Sequence, residues 1–128
     1  MSDIYSEIIL DHYKNPHNKG HLKNATHKAE EDNPLCGDRI KIYIKISDKK
    51  TCTAKATQII EDISFEGEGC AISQAAASML TEFLKGKKVA QAKKITPEQV
   101  YALLKIEISP TRSKCALLAA KTIKSALS

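Results

Sequence analysis

The stretch "DRIKIYIKIS" alternates strictly, with Ile40, Ile42, Ile44 and Ile46 on one side and Arg39, Lys41, Tyr43 and Lys45 on the other. A period of two is the signature of a half-buried strand. A second strand fits "TCTAKAT", where Cys52, Ala54 and Ala56 share a face opposite Thr51, Thr53, Lys55 and Thr57. A third fits "IIEDISF", with Ile59, Ile63 and Phe65 together. Three consecutive strands with short connections predict an antiparallel meander with one covered face.

The period changes after Ala71. Ile72, Ala75, Ala76, Met79, Leu80, Phe83 and Leu84 recur at helical spacing, and Gly86 supplies a stop. A weaker segment, "KKVAQAKK", follows. "TPEQVYALLK" then opens with a capping Thr96, Pro97 at the first helical position and Glu98 in the first turn. "SKCALLAAKTIKSAL" sets Cys115, Leu118, Ala119, Thr122, Ile123 and Ala126 along one stripe. Upstream, Ile4, Ile8 and Ile9 within Asp3 to Tyr13 predict a short N-terminal helix. Between that helix and the first strand, "KNPHNKGHLKNATHKAEEDNPLCGD" reads as one long irregular segment. A loop of such length in a compact domain is usually functional. The expected architecture is a single α+β domain over residues 1–128, a small three-stranded antiparallel sheet with helices packed on one face.

Composition narrows the class. The chain has 128 residues, enough for a core without disulfide staples, and 27% are charged. No apolar run approaches the ~18 residues of a membrane span. The acid-bearing start "MSDIYSEIILDHYKNP" lacks the basic region of a secretory signal, so a cytoplasmic location is expected. The net charge of +5 admits a nucleic-acid partner. Its lysines, however, are scattered in pairs such as Lys49-Lys50 and Lys93-Lys94, with few aromatic residues between them for base stacking. A solvated lysine surface is the plainer account.

The cysteines carry the chemistry. In a cytosolic chain of this size, four of them are read as reduced thiols. Cys36 ends the long loop, Cys70 follows "GEG" at a predicted helix start, and Cys115 falls in the predicted first turn of the last helix. Residues at element ends can converge on one site. Cys52 is mid-strand, where a free cysteine serves as a small hydrophobe. Asp38 lies two residues after Cys36. In extended backbone both side chains point the same way, so both could reach one ion; alternatively Asp38 is a turn residue. Three thiolates and a carboxylate suit Zn²⁺ or an iron–sulfur cluster. The gaps of 34 and 45 residues between these cysteines match no compact zinc finger. His12, His17, His21 and His27 show no ligand spacing and are read as loop or surface residues. A basic nucleic-acid-binding module with a structural zinc, and a hydrolase using Cys70, are the rival classes.

"YSEIILDHYKNPHNKG", "NPLCGDRI", "FEGEGCAISQAAASMLTE" and "SPTRSKCALLA", in this order, resemble the iron–sulfur assembly scaffold family of IscU, SufU and the NifU N-terminal domain. The likeness runs from Tyr5 to about Ala126. It implies that Cys36, Asp38, Cys70 and Cys115 form the functional site, holding Zn²⁺ or a [2Fe–2S] cluster; Cys52 has no counterpart. It further implies a scaffold that receives sulfur from a cysteine desulfurase of the SufS, IscS or NifS kind and passes clusters to apo-proteins or carriers. The alternative within the family is a zinc-dependent persulfide relay that activates a SufS-like desulfurase. On either reading the protein is a sulfur acceptor, at most a sulfurtransferase-type relay, and a monomer or weak homo-oligomer. Cys115 is the implied persulfide acceptor, with Arg112 and Lys114 docking the partner or activating the thiolate. The "R-x-x-C" of Arg112 to Cys115 is similar to SufU, and the residue before Cys115 is Lys114 where IscU-type members have a histidine. The spacing between Cys70 and Cys115 lacks the SufU insertion and is closer to IscU.

Overall fold

The computed structural model describes residues 7–33, 37–50, 56–104 and 110–127. Helix α1 (Glu7–Lys14) leads into three strands, β1 (His27–Asn33), β2 (Asp38–Lys50) and β3 (Ala56–Glu68). Four helices complete the chain: α2 (Ala71–Leu84), α3 (Val89–Lys93), α4 (Pro97–Leu104) and α5 (Pro110–Leu127). The sheet is an antiparallel meander in the order β1-β2-β3. Among the described residues no helix is long and apolar enough to cross a membrane.

β2 forms where the alternation predicts it. Ile40, Ile42 and Ile44 are fully buried on the inner face. Two charged positions of β2 lie opposite acids on both neighbours. Arg39 faces Asp32 and Glu68, and Lys41 faces Glu30 and Glu66. Opposite charges across a ladder contribute roughly 0.2–1 kcal/mol each.

The expected strands need correction at β1 and β3. β1 lies inside the segment read as irregular. "HKAEEDN" has a single apolar residue, Ala29, so its propensity is poor. It is a strand because β2 offers it backbone partners and complementary charge, and because its half-buried face packs beside α5. The segment expected as the second strand lies mostly outside the described residues, Cys52 included. Its last two residues, Ala56 and Thr57, open β3, which absorbs the expected third strand.

β3 also carries a bulge. Lys45 pairs with Asp62 while Ile46 pairs with Ile60, leaving Glu61 as an extra residue. The extra residue reverses the inside–outside parity, so Ile60, rather than the expected Ile59, joins Ile63 and Phe65 in the core.

The free edge of β3 is covered twice. The Phe65 N–H donates to Asn18 O (3.0 Å), and the Gly20 N–H donates to Phe65 O (2.8 Å). Further along, the Gly86 N–H reaches Ile60 O (2.8 Å) and the Ile60 N–H reaches Lys87 O (2.9 Å). Capping an edge in this way removes a template for unwanted pairing. Between these anchors and β1, the long segment sets His21 edge-on against Tyr43 (4.8 Å), helping to bury a ring on the outer face.

α2 is the central helix. Eleven of its residues are buried, and it touches α1, α4, α5 and β3. Gly86 just beyond it takes φ +85°, as a helix stop requires. α4 starts with a capping box. The Gln99 N–H donates to Thr96 Oγ1 (3.3 Å), and the Thr96 N–H donates to Gln99 Oε1 (2.9 Å).

Candidate metal centre

Asp38 is the first residue of β2, and Cys70 is the N-cap of α2. The turn into β2 is made by Gly37 at φ +71°, so the chain just before Asp38 is not extended. The i, i+2 argument that put Cys36 and Asp38 on one side therefore does not hold; Cys36 itself lies outside the described residues. Asp38 is 1% exposed, and its carboxylate is held by its neighbours. Oδ1 accepts the Cys70 N–H at 2.8 Å, and Oδ2 lies 3.8 Å from the Cys70 thiol. The turn-residue reading of Asp38 fails on this burial and these partners.

Cys115 arrives from α5. The helix begins at Pro110, so Cys115 is in its second turn rather than its first. Its thiol is buried, with Asn33 Nδ2 at 4.0 Å from Sγ. Donor atoms of Asp38, Cys70 and Cys115 all lie within 4.8 Å of one another. Three segments that are far apart in the chain thus bring two sulfurs and an oxygen to one point. The start of α2 also turns the positive end of its dipole toward this group, an environment complementary to anionic ligands. A cleft lined by Asp32, Asn33, Gly37, Asp38, Arg39 and Glu68 adjoins the carboxylate.

Gly69 makes the approach possible. A Cβ on it would lie 2.2 Å from Asp38 Oδ1 and 2.9 Å from Ser73 Oγ, and its φ is +151°. Gly69→Ala is therefore expected to push the carboxylate out of place and strain the turn by about 1–3 kcal/mol. Zinc affinity, measured by chelator competition, should fall about 10- to 100-fold, the usual effect of disturbing a ligand's support. Unchanged affinity would contradict this role.

The donor set fits both occupants implied by the resemblance. Two thiolates suit a soft or borderline metal, and the carboxylate adds a harder, more easily displaced oxygen. Lys114 is exposed on α5, next in sequence to the buried Cys115. Arg112 belongs to α5 three residues ahead of Cys115, but its side chain is outside the description. Asn33 escaped the sequence reading. Asn33 ends a strand that the residue pattern does not reveal, and the need for Gly69 appears only once Asp38 is beside it.

The histidines do not join this group. His12 and His17 lie against α2, where His12 Nδ1 is 2.7 Å from Ser78 Oγ and His17 Nδ1 is 2.6 Å from Glu82 Oε2. Burial, and then the charge on His17, push the pKa of His12 down from its ordinary value. His17 is an exposed turn residue, as read from the sequence, whereas His12 belongs to α1 and is half-buried; together they form a cluster with Glu82.

Residues 4–128 match the family described as NifU-like N terminal domain. The chain is 36% identical to the zinc-dependent sulfurtransferase SufU of Bacillus subtilis, covering 97% of this chain and 89% of that one. It is 34% identical to the iron-sulfur cluster assembly scaffold protein IscU of Escherichia coli K12, covering 96% and 91%. Among solved structures it superposes with TM-score 0.79 on a candidate iron-sulfur cluster assembly scaffold protein for the SUF system from Fervidobacterium islandicum. That pair is 31% identical and covers 98% of this chain and 97% of the other. The alignment with the Bacillus protein runs over 141 residues, 13 more than the 128 of this chain, so the relative carries residues without a counterpart here.

Proposed function

We propose, because the chain belongs to the NifU-like N-terminal domain family, that it is an iron–sulfur cluster assembly scaffold. It takes sulfur from a cysteine desulfurase, builds a [2Fe–2S] cluster with iron at Cys36, Asp38, Cys70 and Cys115, and hands the cluster to apo-proteins. The observation that carries this reading is the convergence of the Asp38 carboxylate with the Cys70 and Cys115 thiols within 4.8 Å. Cys36, beside Gly37 in "CGD", is the fourth ligand on sequence grounds. Cys70 is only half-buried, which leaves one corner open. A structural zinc in a nucleic-acid module would be closed.

The residues divide the work. The Cys115 thiolate attacks the terminal sulfur of the desulfurase persulfide. The S–S bond of the donor breaks, its cysteine leaves as a thiolate, and the terminal sulfur ends as a persulfide on Cys115. At 1% exposure Cys115 meets that sulfur only after partner docking displaces its cover, and Lys114 with Arg112 is the docking element. Asp38, anchored by the Cys70 N–H, holds the harder corner of the site. Zn²⁺, when bound, would keep the thiols deprotonated and protected from oxidation.

A second reading, the zinc-dependent sulfur relay, is favoured by one feature of this site. Among the described residues no histidine joins the thiolate group, and the residue before Cys115 is an exposed lysine. Anaerobic reconstitution with iron, cysteine and a desulfurase separates the two. A visible chromophore that transfers to an apo-ferredoxin is the expected result for the scaffold. Retained zinc, no chromophore and stimulated desulfurase turnover would replace it with the relay.

A further inference from the structure

The cluster of His12, His17 and Glu82 is separate from the thiolate site. Cys70 caps the N-terminus of α2, and Glu82 lies twelve residues on in the same helix, about 18 Å away at 1.5 Å per residue. His12 is in the last turn of α1, and His17 is in the turn that follows. The two imidazoles are stacked obliquely, with centroids 4.6 Å apart. One donor atom from each of the three residues lies within 4.8 Å of the others.

We infer that these three residues form a second site for a divalent transition-metal ion of the Zn²⁺, Co²⁺ or Ni²⁺ class. Two imidazoles and a carboxylate make a three-ligand set with a fourth position left for water. Nitrogen and oxygen donors bound at 2.0–2.2 Å to one ion stand roughly 3.3 Å apart in a tetrahedron. The three donor atoms already lie within 4.8 Å of one another, near that spacing. His17 and Glu82 are exposed, so an ion has a path in.

The surroundings support the ligands as well as bringing them together. Ser78 Oγ accepts the His17 backbone N–H at 2.7 Å and lies 2.7 Å from His12 Nδ1. With the His12 proton on Nδ1, that nitrogen donates to Ser78 and the Nε2 lone pair is left for the ion. A hydrogen bond on the non-ligating nitrogen is the usual way a metal-binding imidazole is oriented. The ion would bolt α1 to the far end of α2, the helix whose N-cap is Cys70, without touching the thiolates.

Titration of metal-free protein with Co²⁺, under anaerobic conditions, tests this. The wild type is expected to bind two ions per chain, only one of which gives a thiolate-to-cobalt charge-transfer band. His17→Ala/Glu82→Gln should bind one ion with that band intact, and its circular dichroism should match the wild type because both residues are exposed. Cys36→Ser/Cys70→Ser/Cys115→Ser should lose the band and keep the other ion. Saturation of the wild type at the single thiolate equivalent, or two equivalents retained by His17→Ala/Glu82→Gln, would overturn the inference and leave the cluster a hydrogen-bonded clasp.

Discussion

A Cys115→Ser protein is expected to accept labelled sulfur from a cysteine desulfurase at least about 100-fold more slowly than the wild type. Loss of a supporting neighbour alone costs a metal site about 10- to 100-fold, and in the proposed mechanism this change removes both a ligand and the attacking sulfur. The fold should survive. Serine is close in size, and its hydroxyl, although buried, can use the Asn33 amide that now lies 4.0 Å from the sulfur. A hydroxyl is a far weaker nucleophile than a thiolate at neutral pH, so the defect belongs to the chemistry rather than to folding. Labelled-sulfur transfer followed by peptide mass mapping reads it directly. Wild-type transfer by the serine protein would remove Cys115 from the acceptor role.

Asp38→Ala should separate stability from lability. In the apo-protein the change leaves the half-buried Cys70 N–H without its 2.8 Å partner, the buried Asp38 carboxylate. The expected cost is about 1–3 kcal/mol, visible as a lower urea midpoint. The loaded protein should move the other way. As the proposed oxygen ligand, Asp38 would contribute the hard oxygen of an otherwise sulfur-rich set, and so the most readily exchanged bond. Without that displaceable ligand, an assembled cluster should persist longer and pass more slowly to an apo-ferredoxin. A cluster on Asp38→Ala that transfers at the wild-type rate would show that exchange proceeds at a cysteine corner instead. Two opposite effects from one substitution also guard against a trivial explanation by misfolding.

Much of the fold is legible in residue order because burial imposes a period. The alternating isoleucines of β2, the helical spacing of α2 and the Thr96-Pro97-Glu98 opening of α4 each satisfy a local rule that needs no partner to be read. Chemistry was legible for a different reason. Few roles call for Asp38, Cys70 and Cys115 at the ends of elements, and the four motifs around them carry a family resemblance. What residue order could not supply is whatever depends on a neighbour across space. β1 is a strand only because β2 presents complementary charge and free backbone groups to "HKAEEDN". The parity of β3 reverses at Glu61 because of pairing, not composition. Gly69 is required only because Asp38 stands where its Cβ would go. His12, His17 and Glu82 become a cluster only when α1 packs on α2. Local periodicity and residue chemistry thus determined β2 and the helices and named the candidate ligands. Packing of distant segments decided which edges pair, which faces turn inward and which side chains share a site, because those free energies arise from contacts between residues the chain holds far apart.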